Sequence, residues 1–199
     1  MPAGSAGTPT SRAVSRGCCR SPHERAHHRL HAERRPGGSV TAWIDRPPIT
    51  AAMLNPALIA SILATAADGY RKESDRAMPW PMAFIIVPLV LHRGTRQALP
   101  TSVRTHLATW TSRNPVLRAG FPPRAQGLVE PVREGVRFGL THGALTLEGN
   151  ALRGRTRRPK GFQMPDELAD ILRRASFVGR WLAKIDNTAT VFAVLGVTP

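Results

Sequence analysis

The stretch LNPALIASILATAADGY, Leu54–Tyr70, decides how the rest of the chain is organised. Asn55 is a good N-cap and Pro56 suits the first helical position, so a helix opens there; Gly69 offers a C-terminal stop. Leu58, Ile59, Ile62, Leu63 and Ala66 recur at helical spacing and form one stripe to bury. A polar turn, RKESDRAMPWP, follows. The apolar run MAFIIVPLVLH then reads as a buried strand or as a helix bent at Pro88. Because no turn signal interrupts it before Gly94, the helix is favoured.

Further along, Thr101 or Ser102 is expected to cap a helix over residues 103–113, with Val103, Leu107 and Trp110 on one side and Asn114-Pro115 ending it. A loop containing Phe121-Pro122-Pro123 leads to a helix over residues 128–142, whose Glu130 and Glu134, beside Arg133 and Arg137, read as a solvated face. LTLEGNALR alternates around Gly149-Asn150 and predicts a β-hairpin. Pro165, Asp166 and Glu167 open the clearest helix, through about Lys184, with Leu168, Ile171, Leu172, Ala175, Val178 and Leu182 on its apolar side and Asp170 able to pair with Arg174. The closing TATVFAVLGV is β-branched and apolar and reads as a buried strand. The expected fold class is α+β, mainly α: a small helical domain with a β-hairpin, in an order that also suits a winged helix.

Upstream lies a segment of different character. Residues 1–40 hold seven Arg, four of the seven His and both Cys, with almost no large apolar side chain besides Leu30. Such a segment cannot bury enough surface to offset its ordering entropy, so a disordered basic tail is expected, with a single domain over residues 41–199. It fits a nucleic-acid arm, a targeting peptide or a translated upstream stretch; the abrupt change at Gly38-Ser39-Val40 favours the last. The adjacent Cys18 and Cys19 make neither a disulfide framework nor a zinc site. The body from Val40 onward has no cysteine, which suits a reducing compartment, and a cytoplasmic location is expected. The longest apolar run, Met82–Leu91, has ten residues and falls short of the roughly 18 that a membrane span requires.

The chain carries a formal net charge of +15 over its 199 residues. That balance suits a polyanionic or acidic partner. Twenty-five of the 28 basic residues are arginine, however, a bias that high-GC coding produces by itself, so the charge is only partial evidence for nucleic acid.

No phosphate loop, dinucleotide fingerprint, nucleophile elbow or HExxH motif is present. His92, His106 and His142 lie near helix ends or on helix surfaces without a carboxylate-plus-nucleophile pattern beside them. No catalytic residue, metal ligand or cofactor is assigned. The basic run RGRTRRPKG behind the hairpin offers Arg153, Arg155, Arg157, Arg158 and Lys160 as the phosphate-contacting edge of a wing. A solvated loop between hairpin and helix accounts for it equally well.

The pieces LNPA, PLVLHRGTRQALP, GRW and LGVTP, in that order and spacing, resemble the middle component of bacterial three-component ABC-ATPase systems, over residues 43–199. The resemblance implies a non-enzymatic adaptor linking an ABC-class ATPase to a third operon-encoded protein in conflict with phage or other mobile elements. It carries no functional residues with it. On this reading, Arg93 and Arg96 are expected to form a basic rim presented to a partner protein. The alternative is a free-standing winged-helix DNA-binding regulator.

Overall fold

The structure is a computed structural model that describes residues 43–156, Gly161 and residues 163–198. These residues fall within one unit, Val40–Pro199. The expected tail, and Arg157, Arg158 and Lys160 of the basic run, lie outside the described residues.

The described residues are mainly helical with one small sheet. A short 3-10 turn at Trp43–Asp45 precedes helices α1 (Pro48–Met53) and α2 (Pro56–Ser74). Strand β1 (Met78–Pro79) leads through another 3-10 turn into α3 (Ala83–Leu91) and α4 (Arg93–Gln97). Next come α5 (Leu107–Arg113), α6 (Pro115–Ala119), α7 (Phe121–Gly127) and α8 (Val129–Thr141). The hairpin β2 (Leu145–Glu148) and β3 (Ala151–Gly154) is followed by α9 (Asp166–Leu182) and α10 (Thr188–Leu195). The sheet is antiparallel in the order β1-β3-β2, with Leu147 opposite Leu152 and Met78 on the far side of Leu152.

Helix α2 is the axis. Asn55 caps it, its side chain accepting from the Ala57 amide at 2.8 Å, and Pro56 occupies the first turn as expected. The single apolar stripe is an underestimate: Ile59, Ala60, Ile62, Leu63, Ala64, Ala66, Ala67 and Tyr70 are all buried. The reason is that α9, α8 and the sheet pack on different sides of the same helix. Nor does Gly69 stop it. The helix runs on to Ser74 and closes on Asp75 in the left-handed region at φ 56°, while Gly69 sits where the Ser176 carbonyl would be 2.5 Å from any Cβ. By length and composition, Pro48–Ser74 is also apolar enough to cross a membrane, against the sequence expectation. The three-sided packing of α2 gives the apolarity of its own residues a structural cause, whereas α1 has no buried residue and exposes Ile49 and Met53.

Helix α3 passes through Pro88 and buries nearly every side chain from Ala83 to Val90, as the run of apolar residues demands. Two short helices, α6 and α7, each with proline in the first turn, occupy the stretch read as a loop around Phe121. Helix α5 starts at Leu107 with His106 in the N-cap place, so neither Thr101 nor Ser102 is the cap. The C-terminal segment is a helix and not a strand. Asn187 caps α10 by accepting from the Ala189 amide at 2.9 Å, and Val191, Phe192 and Leu195 point inward at helical spacing.

Candidate functional site

Two surfaces collect the residues singled out by the sequence. The first surrounds the junction of α3, α4 and α9. Arg96 is 3% exposed, so it is not a rim residue. Its guanidinium donates to the Val90 carbonyl at 2.9 Å and the Leu91 carbonyl at 3.3 Å, groups that the end of α3 leaves without helical partners. It also donates to Asp170 at 3.0 Å and to Glu167, both on the first turns of α9. A cation at the C-terminus of α3 and carboxylates at the N-terminus of α9 each match the local helix dipole. Arg96 therefore staples two helix ends together. Of the expected rim, only Arg93 is exposed, with no acid within ion-pair range among the described residues.

His92 belongs to the same junction. Its Nδ1 accepts from the Thr95 amide at 3.0 Å and lies 2.8 Å from Thr95 Oγ1, capping α4. Burial, reinforced by the nearby Arg124 guanidinium, holds the imidazole below its ordinary value of 6.5. Between that lowered value and 6.5 the unfolded chain binds a proton that the native chain does not. The neutral ring thus costs nothing above 6.5, and stability falls as pH drops below it. His92→Asn keeps a cap and removes the titration. It should match wild type at pH 8 in urea melts and lose less stability at pH 5.5, whereas His92→Ala should lose about 1 kcal/mol at pH 8. Parallel pH profiles for wild type and His92→Asn would remove His92 from the account.

The second surface runs along α2 and the N-terminal half of α9 beneath the hairpin. There an open trough of about 890 Å³ lies between Ala57, Ser61 and Thr65 of α2 and Leu168 and Leu172 of α9. His142 and Gly143, just after α8, and Arg155, just after β3, complete its margin. The His142 Nδ1 is 2.9 Å from the Phe138 carbonyl, and its ring stacks on Phe138 at 4.0 Å. Arg155 has no carboxylate within 4.0 Å among the described residues, whereas Arg153 is neutralised by Glu148 at 2.7 Å. The expected basic edge is thus divided: Arg153 is matched within the hairpin, and Arg155 faces the trough.

Helix α8 departs from its reading too. Glu130 pairs with Arg133, but Glu134 meets buried Arg46 at 2.8 Å, which ties the segment before α1 to α8. His106, at the start of α5, makes no capping bond with its side chain. Among the described residues, no three His, Cys, Asp or Glu side chains converge as a metal site would require.

The pieces of sequence that are most recognisable turn out to be joints. LNPA caps α2, HRGTRQ holds the α3–α9 staple, and in GRW the glycine lies against Ala66 of α2 while Trp181 packs edge-on to Trp110 of α5 and donates from Nε1 to the Thr105 carbonyl at 2.6 Å. LGVTP closes α10: Gly196 adopts φ 72° and the Val197 amide returns to the Phe192 carbonyl at 2.9 Å. All of these joints lie within residues 43–199, which match a family model, the ABC-three component (ABC-3C) system Middle Component 3. The chain belongs to that family. As a middle component it works with the other components of an ABC-3C system. No curated protein and no solved structure matches it.

Proposed function

We propose that this middle component is a non-enzymatic adaptor that joins the ABC-class ATPase of its system to the third component, in the bacterial cytoplasm and in conflict with phage or other mobile elements. Membership of the Middle Component 3 family carries the reading, since it puts the chain among the parts of a multi-protein system. Two physical features support it. The motifs that define the chain are used up in holding helices together, which leaves its exposed surfaces free to differ between partners. Those surfaces include arginines with no acid partner among the described residues, such as Arg93, and exposed apolar side chains such as Trp80 and Leu147 at the open end of the sheet.

The test is reconstitution from the three purified components. The ATPase and third component should co-elute when the full-length middle component is present and separate when it is omitted. Arg93→Glu should weaken that assembly about threefold to tenfold, chiefly through association rate, and leave the melting temperature unchanged. Co-elution of the other two components without this chain would refute the adaptor role.

One observation favours a winged-helix DNA-binding regulator as the second reading. The succession α2–β1–α3, then α8–β2–β3, with strand order β1-β3-β2, resembles winged-helix connectivity with four short helices inserted before α8. Helix α8 would then be the recognition helix and the hairpin its wing. Arg133 and Arg153 are already paired, so Arg137 and Arg155 are the unpaired cations this geometry would aim at phosphate among the described residues. Duplex DNA binding with a log–log salt slope reduced by about one in Arg155→Ala would support this reading. No binding at 50 mM salt would end it.

A further inference from the structure

We propose that the trough between α2 and α9 is the docking site for a short acidic-apolar segment of a partner component, its side chains on the trough floor and a carboxylate on Arg155. The proposal rests on the adaptor reading and specifies the chemistry it uses. At about 890 Å³ the trough is large enough to take several side chains of a peptide. Its floor is a straight ridge of small residues: Ala57, Ser61 and Thr65 recur every four positions on α2, and Ser61 Oγ is engaged with the Ala57 carbonyl at 2.8 Å. Leu168 and Leu172, which continue the apolar stripe of α9, stay half-buried along it while Ile171, Ala175 and Val178 are covered. Among the described residues, apolar surface is therefore left uncovered in a groove, the arrangement that receives a helix or peptide through a few spaced anchors.

Charge selects the occupant. No Asp or Glu lines the trough, and Arg155 on its margin has no acid within 4.0 Å among the described residues. The neighbouring Arg153 has found one, so the hairpin does not leave its cations unmatched by default. A second copy of this chain would bring another +15 to a cationic margin, and a nucleic acid has no use for an apolar floor. A carboxylate-bearing apolar segment satisfies both parts.

The full-length chain would be titrated separately against the purified ATPase and third component of its system, as wild type, Ser61→Trp, Arg155→Glu and Arg155→Lys. Ser61→Trp fills the floor from an exposed helix position, and Arg155→Glu reverses the margin. Both should bind the partner at least about tenfold more weakly, with wild-type circular dichroism and melting temperature, while Arg155→Lys stays within about threefold. Wild-type affinity in Ser61→Trp and Arg155→Glu overturns the site and leaves the adaptor reading standing. If wild type binds neither component, the adaptor reading itself has failed. A lowered melting temperature in both variants means the chain fills its own trough. Loss of DNA binding in place of protein binding in Arg155→Glu assigns the margin to nucleic acid. Either of the last two results also overturns the proposal.

Discussion

Arg96→Met should lower the unfolding free energy by about 3 kcal/mol, read from the urea midpoint at constant slope. The aliphatic stem is replaced nearly atom for atom, so the loss comes from the guanidinium. Two carbonyls at the end of α3 lose their donor inside the fold, which costs about 1–3 kcal/mol. Asp170 and Glu167 lose their partner as well, but Glu167 is 67% exposed and water takes over most of its solvation. Arg96→Lys should recover less than half of the loss, because one ammonium cannot reach two carbonyls and two carboxylates at once. Arg93→Ala, three residues earlier on the surface, should stay within about 0.5 kcal/mol of wild type. If Arg96→Met and Arg93→Ala melt together, the staple does not exist.

Arg96 also shows where sequence reading stops. The sequence presented it as half of a basic rim, whereas its side chain serves as a cation at the C-terminus of α3. The carboxylates that turn it inward lie 71 and 74 residues further along, on a helix whose docking no local pattern encodes. The hairpin and α9 were legible because their signals are local: a two-residue turn, and a stripe at 3.6 spacing. The strand β1 was not, since two residues cannot show a period. Helix α10 was misread because Thr188, Thr190, Val191 and Val194 favour extended structure. Its cap at Asn187 and the burial of Val191, Phe192 and Leu195 override that preference.

The trough was hidden for a related reason. Leu168 and Leu172 belong to the apolar stripe of α9, and a stripe shows which residues seek cover without showing how far the cover extends. Arg155 was picked out only as part of a basic run. The fold separates it from Arg153, because a two-residue turn sets Glu148 close to Arg153 and leaves Arg155 beyond the end of β3. The charge count alone cannot distinguish matched from unmatched cations.

The second large effect concerns the α2–α9 interface, and its sign runs against helix propensity. Alanine is better than glycine in a helix by up to about 1 kcal/mol. Gly127→Ala should follow that rule: a Cβ there meets nothing within 4 Å, so the variant should be neutral or up to about 1 kcal/mol more stable. Gly179→Ala should do the reverse and lose 3 kcal/mol or roughly more. A Cβ at Gly179 would lie 2.0 Å from the Ala66 carbonyl oxygen, and backbone atoms cannot turn aside as a flexible side chain does. The helices must part by about an ångström, and close-packed contacts at Ile171, Ala175, Val178 and Leu182 loosen together. Gly154 approaches the Ala64 carbonyl from the sheet side in the same way, so α2 is gripped from two directions. Because the Trp181 bond to Thr105 depends on where α9 sits, Gly179→Ala should also shift tryptophan fluorescence before global unfolding. A Gly179→Ala variant as stable as Gly127→Ala would mean that α2 and α9 do not meet backbone to backbone, and the three-sided packing of α2 would have to be abandoned.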